Sequence, residues 1–287
     1  VDLPDGRALA YAEFGEADAP PVLYFHGFPN CRLEPGLVPA RGVRLVAVDR
    51  PGFGASDPWT GAAPRRVADW PADVARLADA LGLGRFSVAA ISGGVPHAAA
   101  CAARLGDRVE ATALVSGIAP HAPGAGGWEG RSWAGRMVRL GRRPALARLV
   151  AGGLRRALLL SSPEATARLA ASVLRLPGPD GEALSGPVAA ALLRCTREAQ
   201  RRGVEGAVSD MAAYAAPWGF DPAGIRGPVQ VWHGAEDELV PPAASRALAA
   251  AIPGAALRVV AGEGHFSLIL RRHDEILGAL LAARAAA

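Results

Sequence analysis

The chain has 287 residues, 51% hydrophobic and 20% charged, enough to bury a full core without disulfides or a structural metal. Its balance is mildly basic, +4 at neutral pH, and all 31 basic residues are arginine. The absence of lysine excludes Schiff-base chemistry, including a pyridoxal-phosphate lysine, and a P-loop phosphate-binding lysine.

No apolar run approaches the roughly 18 residues that span a bilayer, and no basic-then-apolar leader precedes Leu3. Cys31, Cys101 and Cys195 are scattered, with no CxxC pair. These features lead to the expectation of a reduced, cytoplasmic protein with no membrane segment and no zinc.

In chain order, a hairpin is expected over Leu3 to Phe14, turned by Pro4-Asp5-Gly6. Strands follow at Val22–Phe25 and Val43–Val48, then an amphipathic helix over Arg66–Leu81 that stops at Gly82 and Gly84. Next come a strand at Ser87–Ile91, a helix with Val95, Ala98, Ala102 and Leu105 on one face, and a strand at Ala111–Val115. Strand–helix alternation with continuous apolar strands implies an α/β fold, a mostly parallel doubly wound sheet covered on both faces. From 121 to 217 the pattern is helical and broken by prolines, with no strand signal. Alternation resumes at Val229–Trp232, Pro242–Ala251 and Leu257–Val260, with a last helix from about His273. The expectation is a core of residues 1–120 and 218–287 interrupted by a helical cap at 121–217.

Ser92 stands at the corner between a buried strand and a helix and is followed by Gly93 and Gly94. A strand–turn–serine–helix unit forces the serine into strained backbone geometry, so residues two before and two after it must be small. Ala90 and Gly94 satisfy this, although Ala90 departs from the usual glycine. Gly93 can then present its N–H to an oxyanion. A plain helix cap is the competing reading of Ser92.

Three further segments weigh against the cap. Tyr24-Phe25-His26-Gly27-Phe28-Pro29 ends a strand in a glycine-containing loop. Val231-Trp232-His233-Gly234-Ala235-Glu236-Asp237 brings an acid to a strand's carboxyl end, and Val259-Val260-Ala261-Gly262-Glu263-Gly264-His265 puts a histidine on a glycine-rich loop after the last strand. The order Ser92, Asp237, His265, each past a predicted strand, suits an acyl-transfer triad.

With these segments, and with Val48-Asp49-Arg50-Pro51-Gly52-Phe53-Gly54-Ala55-Ser56-Asp57, which is similar to the family's loop after its fourth strand, the chain resembles the α/β-hydrolase superfamily over nearly its whole length. The resemblance implies an oxyanion hole from the backbone N–H groups of Phe28 and Gly93, and a serine hydrolase of carboxylic esters, lactones or thioesters. Haloalkane dehalogenases and epoxide hydrolases share a His-Gly-x-Pro loop but use an aspartate nucleophile where this chain has Ser92. Proline iminopeptidases carry His-Gly-Gly-Pro-Gly, which His26-Gly27-Phe28-Pro29-Asn30 does not match. Carbon–carbon bond hydrolysis, perhydrolysis, cofactor-free oxygenation and a receptor-like binding role stay open on the same residues.

The other motifs are less informative. His26 and His233 read as scaffold histidines, His97 as either core or pocket border, and His121 stands at the cap entrance. No spacing suits a metal, and no cofactor is expected. Gly124–Gly127 reads as a hinge into the cap. Arg131 to Arg156 holds eight arginines and no acid. A solvated amphipathic helix is the default there, with an acidic carrier-protein thioester as the sharper alternative. Nucleic acid is not expected. Trp59, Trp128, Trp133 and Trp218 are candidates to roof a pocket for a small-molecule substrate.

Overall fold

The computed structural model describes residues 1–120, 132–160, 176 and 178–286. Seven strands form one sheet: β1 (Tyr11–Gly15), β2 (Pro21–Phe25), β3 (Arg44–Val48), β4 (Phe86–Ile91), β5 (Val109–Val115), β6 (Val229–Gly234) and β7 (Ala256–Val260). Their order is β1-β3-β2-β4-β5-β6-β7. Only β1 runs antiparallel to its neighbour; every other pair is parallel.

Successive side chains of a strand point to opposite faces, so a sheet covered on both sides must be apolar at every position. β2 shows the division: Leu23 and Phe25 join one core, Val22 and Tyr24 the other. Likewise Val88 and Ala90 of β4 face the first core, and Ala89 and Ile91 the second. The first core is closed by α1 (Trp70–Ala80), α2 (Val95–Arg104) and α8 (Pro242–Ala251), through residues such as Trp70, Leu77, Ala98 and Leu248. The second is closed by α9 (His265–Ala285), through Leu268, Ile276, Leu277 and Leu280.

Helix α1 buries Trp70, Val74, Leu77 and Ala78, one turn apart on one face, and the chain leaves it through Gly82 at φ +67°. Between β5 and β6 all elements among the described residues are helical: α3 (Trp133–Gly141), α4 (Pro144–Leu160), α5 (Gly178–Ala183), α6 (Gly186–Ala199) and α7 (Glu205–Ala215). No helix among the described residues is long and apolar enough to cross a membrane.

Two sequence expectations need correction. The hairpin over Leu3–Phe14 reduces to a single bridge between Asp2 and Ala8 around Gly6, while Tyr11–Gly15 pairs with β3. The partner that satisfies β1 comes from some 30 residues further on, which local turn chemistry cannot reveal. The last helix starts at His265 rather than His273. Glycines at 262 and 264 disguise its first turn, and its missing local cap is supplied from elsewhere in the chain.

The order of β2 and β4 fixes where a ligand can sit. The chain leaves β2 toward β3 on one side, and leaves β4 toward β5 on the other. At such a switch point the two carboxyl-end loops part and open a crevice. Those loops are His26–Phe28 and Ser92–Gly94.

Candidate active site

Ser92 lies directly past β4 with φ +54°, a left-handed conformation rare for a residue with a side chain. Holding it there costs about 1–3 kcal/mol, which the surrounding packing must supply. The packing is tight on both sides. A Cβ on Gly94 would lie 2.2 Å from the Phe25 carbonyl oxygen, so α2 can start against the end of β2 only with glycine at this position. A Cβ on Gly93 would lie 2.8 Å from Phe28 Cβ and 2.6 Å from the Tyr214 hydroxyl. The structure therefore brings Gly93 and Phe28, the two expected oxyanion donors, side by side. Gly27 is also close to the serine, since a Cβ there would stand 3.6 Å from Ser92 Cβ.

Asp237 and His265 meet directly, with His265 Nδ1 2.7 Å from Asp237 Oδ2. The other carboxylate oxygen accepts from the N–H groups of Leu239 (2.9 Å) and Val240 (2.8 Å), which fixes the acid in its loop after β6. Burial alone would raise the Asp237 pKa, but the His265 and His233 rings outweigh it and hold the carboxyl well below the usual range. Burial of His265 favours its neutral form, yet Asp237 first, then Asp180 and Glu34, raise its pKa above that of free histidine. Both residues are 5% exposed or less. A carboxylate bonded to Nδ1 leaves Nε2 as the position that exchanges protons.

Three of the other histidines sit in the scaffold beneath these loops. His26 Nε2 accepts from Arg50 N–H (3.2 Å), so Nδ1 carries the proton it donates to the Gly27 carbonyl (2.8 Å). Burial, then the Arg50 charge, push its pKa well below the ordinary value, and it stays neutral. His233 bonds Ser245 Oγ (2.6 Å) and the Val240 carbonyl (2.9 Å). His97 is fully buried between Trp70 and Tyr214, with Nδ1 3.2 Å from the Gly93 carbonyl. It belongs to the core. His121, Gly124–Gly127 and Trp128 lie outside the described residues.

Of the tryptophans, Trp133 packs against Phe28 at 6.0 Å between ring centroids. Trp218 is in the first core, and Trp59 stacks on the Arg7 guanidinium and donates to the Ala63 carbonyl, on the α1 side of the molecule. The arginine-rich stretch forms parts of α3 and α4. Arg148 there pairs with Glu205 at 2.7 Å, and Arg155 donates to the Gln200 carbonyl.

Sequence reading missed a buried polar support beneath these loops. Arg50 and Asp210, both fully buried, form an ion pair at 2.8 Å, and Arg65 reaches the same carboxylate at 3.2 Å. Arg50 also donates to the His26 carbonyl. Glu34, also buried, accepts from Gly27 N–H (2.8 Å), the Tyr24 hydroxyl (2.9 Å) and Asn30 Nδ2 (2.6 Å). The one available sequence signal was the position of Arg50 in the loop after β3. Among the described residues, no group of three histidine, cysteine or acidic side chains could hold a metal ion.

Comparison with known proteins agrees with this architecture. The family model described as alpha/beta hydrolase fold matches residues 20–271. Similar solved structures include an enol-lactonase from Burkholderia xenovorans LB400, 23% identical, covering 97% of each chain with a TM-score of 0.66. A hydrolase from Pseudomonas aeruginosa PA01 is 22% identical over 99% of this chain and 96% of its own, TM-score 0.70. The esterase RhEst1 from Rhodococcus sp. ECU1013 is 22% identical over 97% and 95%, TM-score 0.65. Among curated proteins, a non-heme chloroperoxidase from Streptomyces lividans is 34% identical over 129 residues, 42% of this chain and 45% of that protein. The match thus spans about half the length of the curated relative. A family model covering most of the chain, on a sheet of this order with a strained serine at its switch point, assigns the protein to the α/β hydrolase fold family.

Proposed function

We propose that the protein is a serine hydrolase of carboxylic esters, lactones and thioesters included, working through an acyl-enzyme on Ser92. The buried His265–Asp237 pair carries this reading, because a histidine oriented by a carboxylate and raised in basicity is what a neutral hydroxyl needs. His265 Nε2 takes the Ser92 proton as Oγ attacks the acyl carbonyl. Asp237 holds the ring in its Nδ1–H tautomer and stabilises the imidazolium. The N–H groups of Phe28 and Gly93 stabilise the oxyanion, and the imidazolium then protonates the leaving alcohol or thiol. Water enters, gives a proton to His265 and attacks the acyl-enzyme. The acid departs and the proton returns to Ser92. Only the chain's own groups and water take part. Residues 121–217 are proposed as the cap over this site, with Trp133 against Phe28 as part of its contact.

Hydrolysis of a p-nitrophenyl ester series by the wild type and Ser92→Ala tests the reading. The variant is expected to lose at least about three powers of ten in kcat/KM. Equal turnover by both proteins would refute it.

A second reading is perhydrolysis, favoured by the likeness to a chloroperoxidase. Hydrogen peroxide would replace water against the acyl-enzyme and release a peracid. Adding peroxide to the ester assay and titrating peracid distinguishes the two, since a plain hydrolase yields none.

A further inference from the structure

Helix α9, which begins with His265, has no N-cap side chain to accept from its first-turn N–H groups. Its N-cap residue is Gly264, without a side chain, and its first turn holds no acid. The N–H groups of a helix's first turn have no partner inside the helix and need acceptors from outside it. Asp180 of α5 meets three of them: Oδ2 accepts from His265 N–H at 2.7 Å, and Oδ1 from Phe266 and Ser267 N–H at 2.8 Å each. Ser267 Oγ accepts from Gly264 N–H at 2.8 Å. The fit is close, for a Cβ on Gly264 would stand 2.6 Å from the Asp180 carboxylate. Glycine at 264 therefore both removes the local cap and makes room for the distant one.

We infer that Asp180 is a positioning residue for His265, a carboxylate supplied from the segment between β5 and β6 that anchors the histidine's backbone and adds negative charge beside its ring. The inference rests on His265 being the base of the proposed reaction. Two effects act in the same direction. The carboxylate offsets the positive end of α9, which by itself disfavours an imidazolium, and its own charge favours one. Burial disfavours the charged ring, and the charges that oppose it are Asp237, bonded to Nδ1 from the loop after β6, then Asp180 from α5 and Glu34 from the segment after β2. Asp180 is the one contributed from between β5 and β6, so the placement of that segment and the readiness of His265 are coupled.

The test compares wild type with Asp180→Asn and Asp180→Glu, reading the His265 ring titration by NMR without substrate, then ester turnover and melting temperature. Asp180→Asn is expected to lower the titration midpoint by about half a pH unit or more. Its kcat should fall about tenfold with KM within about twofold, as for a misplaced base, and Asp180→Glu should recover part of both. A lower melting temperature with titration and kcat unchanged would mean a structural cap only and overturn the inference. If Asp180→Asn does not fold, amide exchange in the wild type decides. Slow exchange at His265, Phe266 and Ser267 supports the anchoring, and exchange at loop rates overturns it. Absence of Ser92-dependent turnover would refute the hydrolase reading while leaving the NMR shift measurable, so the two failures are distinguishable.

Discussion

The Tyr214 hydroxyl lies 2.9 Å from the Gly93 carbonyl oxygen and 2.9 Å from Asp210 Oδ2. It therefore ties the turn that follows Ser92 to the buried Arg50–Asp210 pair. Tyr214→Phe keeps the ring against Phe28 and deletes only the hydroxyl. The Gly93 carbonyl and the Asp210 carboxylate both lose the hydroxyl they share, so the expected cost is about 1–3 kcal/mol. Urea unfolding should show it as a lower midpoint at unchanged slope, with ester turnover reduced less than in Ser92→Ala.

Removing charge from Asp210 should cost more. Asp210→Asn would take from Arg50 and Arg65 the carboxylate they share as an ion-pair partner, with both guanidiniums almost fully buried. Breaking such a group from one side costs about 3–5 kcal/mol. Thermal melts of the purified variant should show a drop well beyond that of Tyr214→Phe, and equal melting temperatures would contradict the account.

Two glycines give a matched pair. Gly94→Ala would place a Cβ 2.2 Å from the Phe25 carbonyl, backbone that cannot swing aside, while Gly84→Ala meets nothing within 4 Å. Gly94→Ala is expected to lose several kcal/mol of stability or fail to fold. Gly84→Ala should stay within about 0.5 kcal/mol of wild type. Denaturation of both variants side by side checks the turn geometry.

The His265 pKa is raised in the folded protein, chiefly by Asp237 against the opposing effect of burial. The base must be neutral, so the acid limb of kcat/KM should lie above the ordinary histidine value of about 6.5. Stability runs the other way. A raised histidine pKa contributes stability that is full below the unfolded value and lost as pH rises through the folded one. For Asp237, whose pKa is depressed, the contribution is present above its unfolded value and lost as pH falls toward the folded one. A pH series of rates and melts should show activity rising where the His265 contribution to stability fades. An acid limb below 6 would contradict the assignment.

Much of this was legible in the chain because periodicity and sharp turns are local. Leu23 and Phe25 alternate with Val22 and Tyr24, and Ser92-Gly93-Gly94 states the turn by excluding side chains. The pairing of Tyr11–Gly15 with β3 was not legible, since partner choice for an edge strand is a long-range matter. Nor was the role of Asp180 or Asp210. Each looks like a solvated helix acid until α5 and α7 fold onto α9 and Arg50. Burial of charge is a property of the assembled fold, and no spacing in the sequence encodes it.

The most direct measurement of the central claim is the intact mass of the protein after exposure to a fluorophosphonate, with peptide mapping of the adduct. The account predicts one adduct, on Ser92, formed by the wild type and absent from Ser92→Ala. No adduct, or an adduct on another residue that survives Ser92→Ala, would contradict Ser92 as the activated nucleophile.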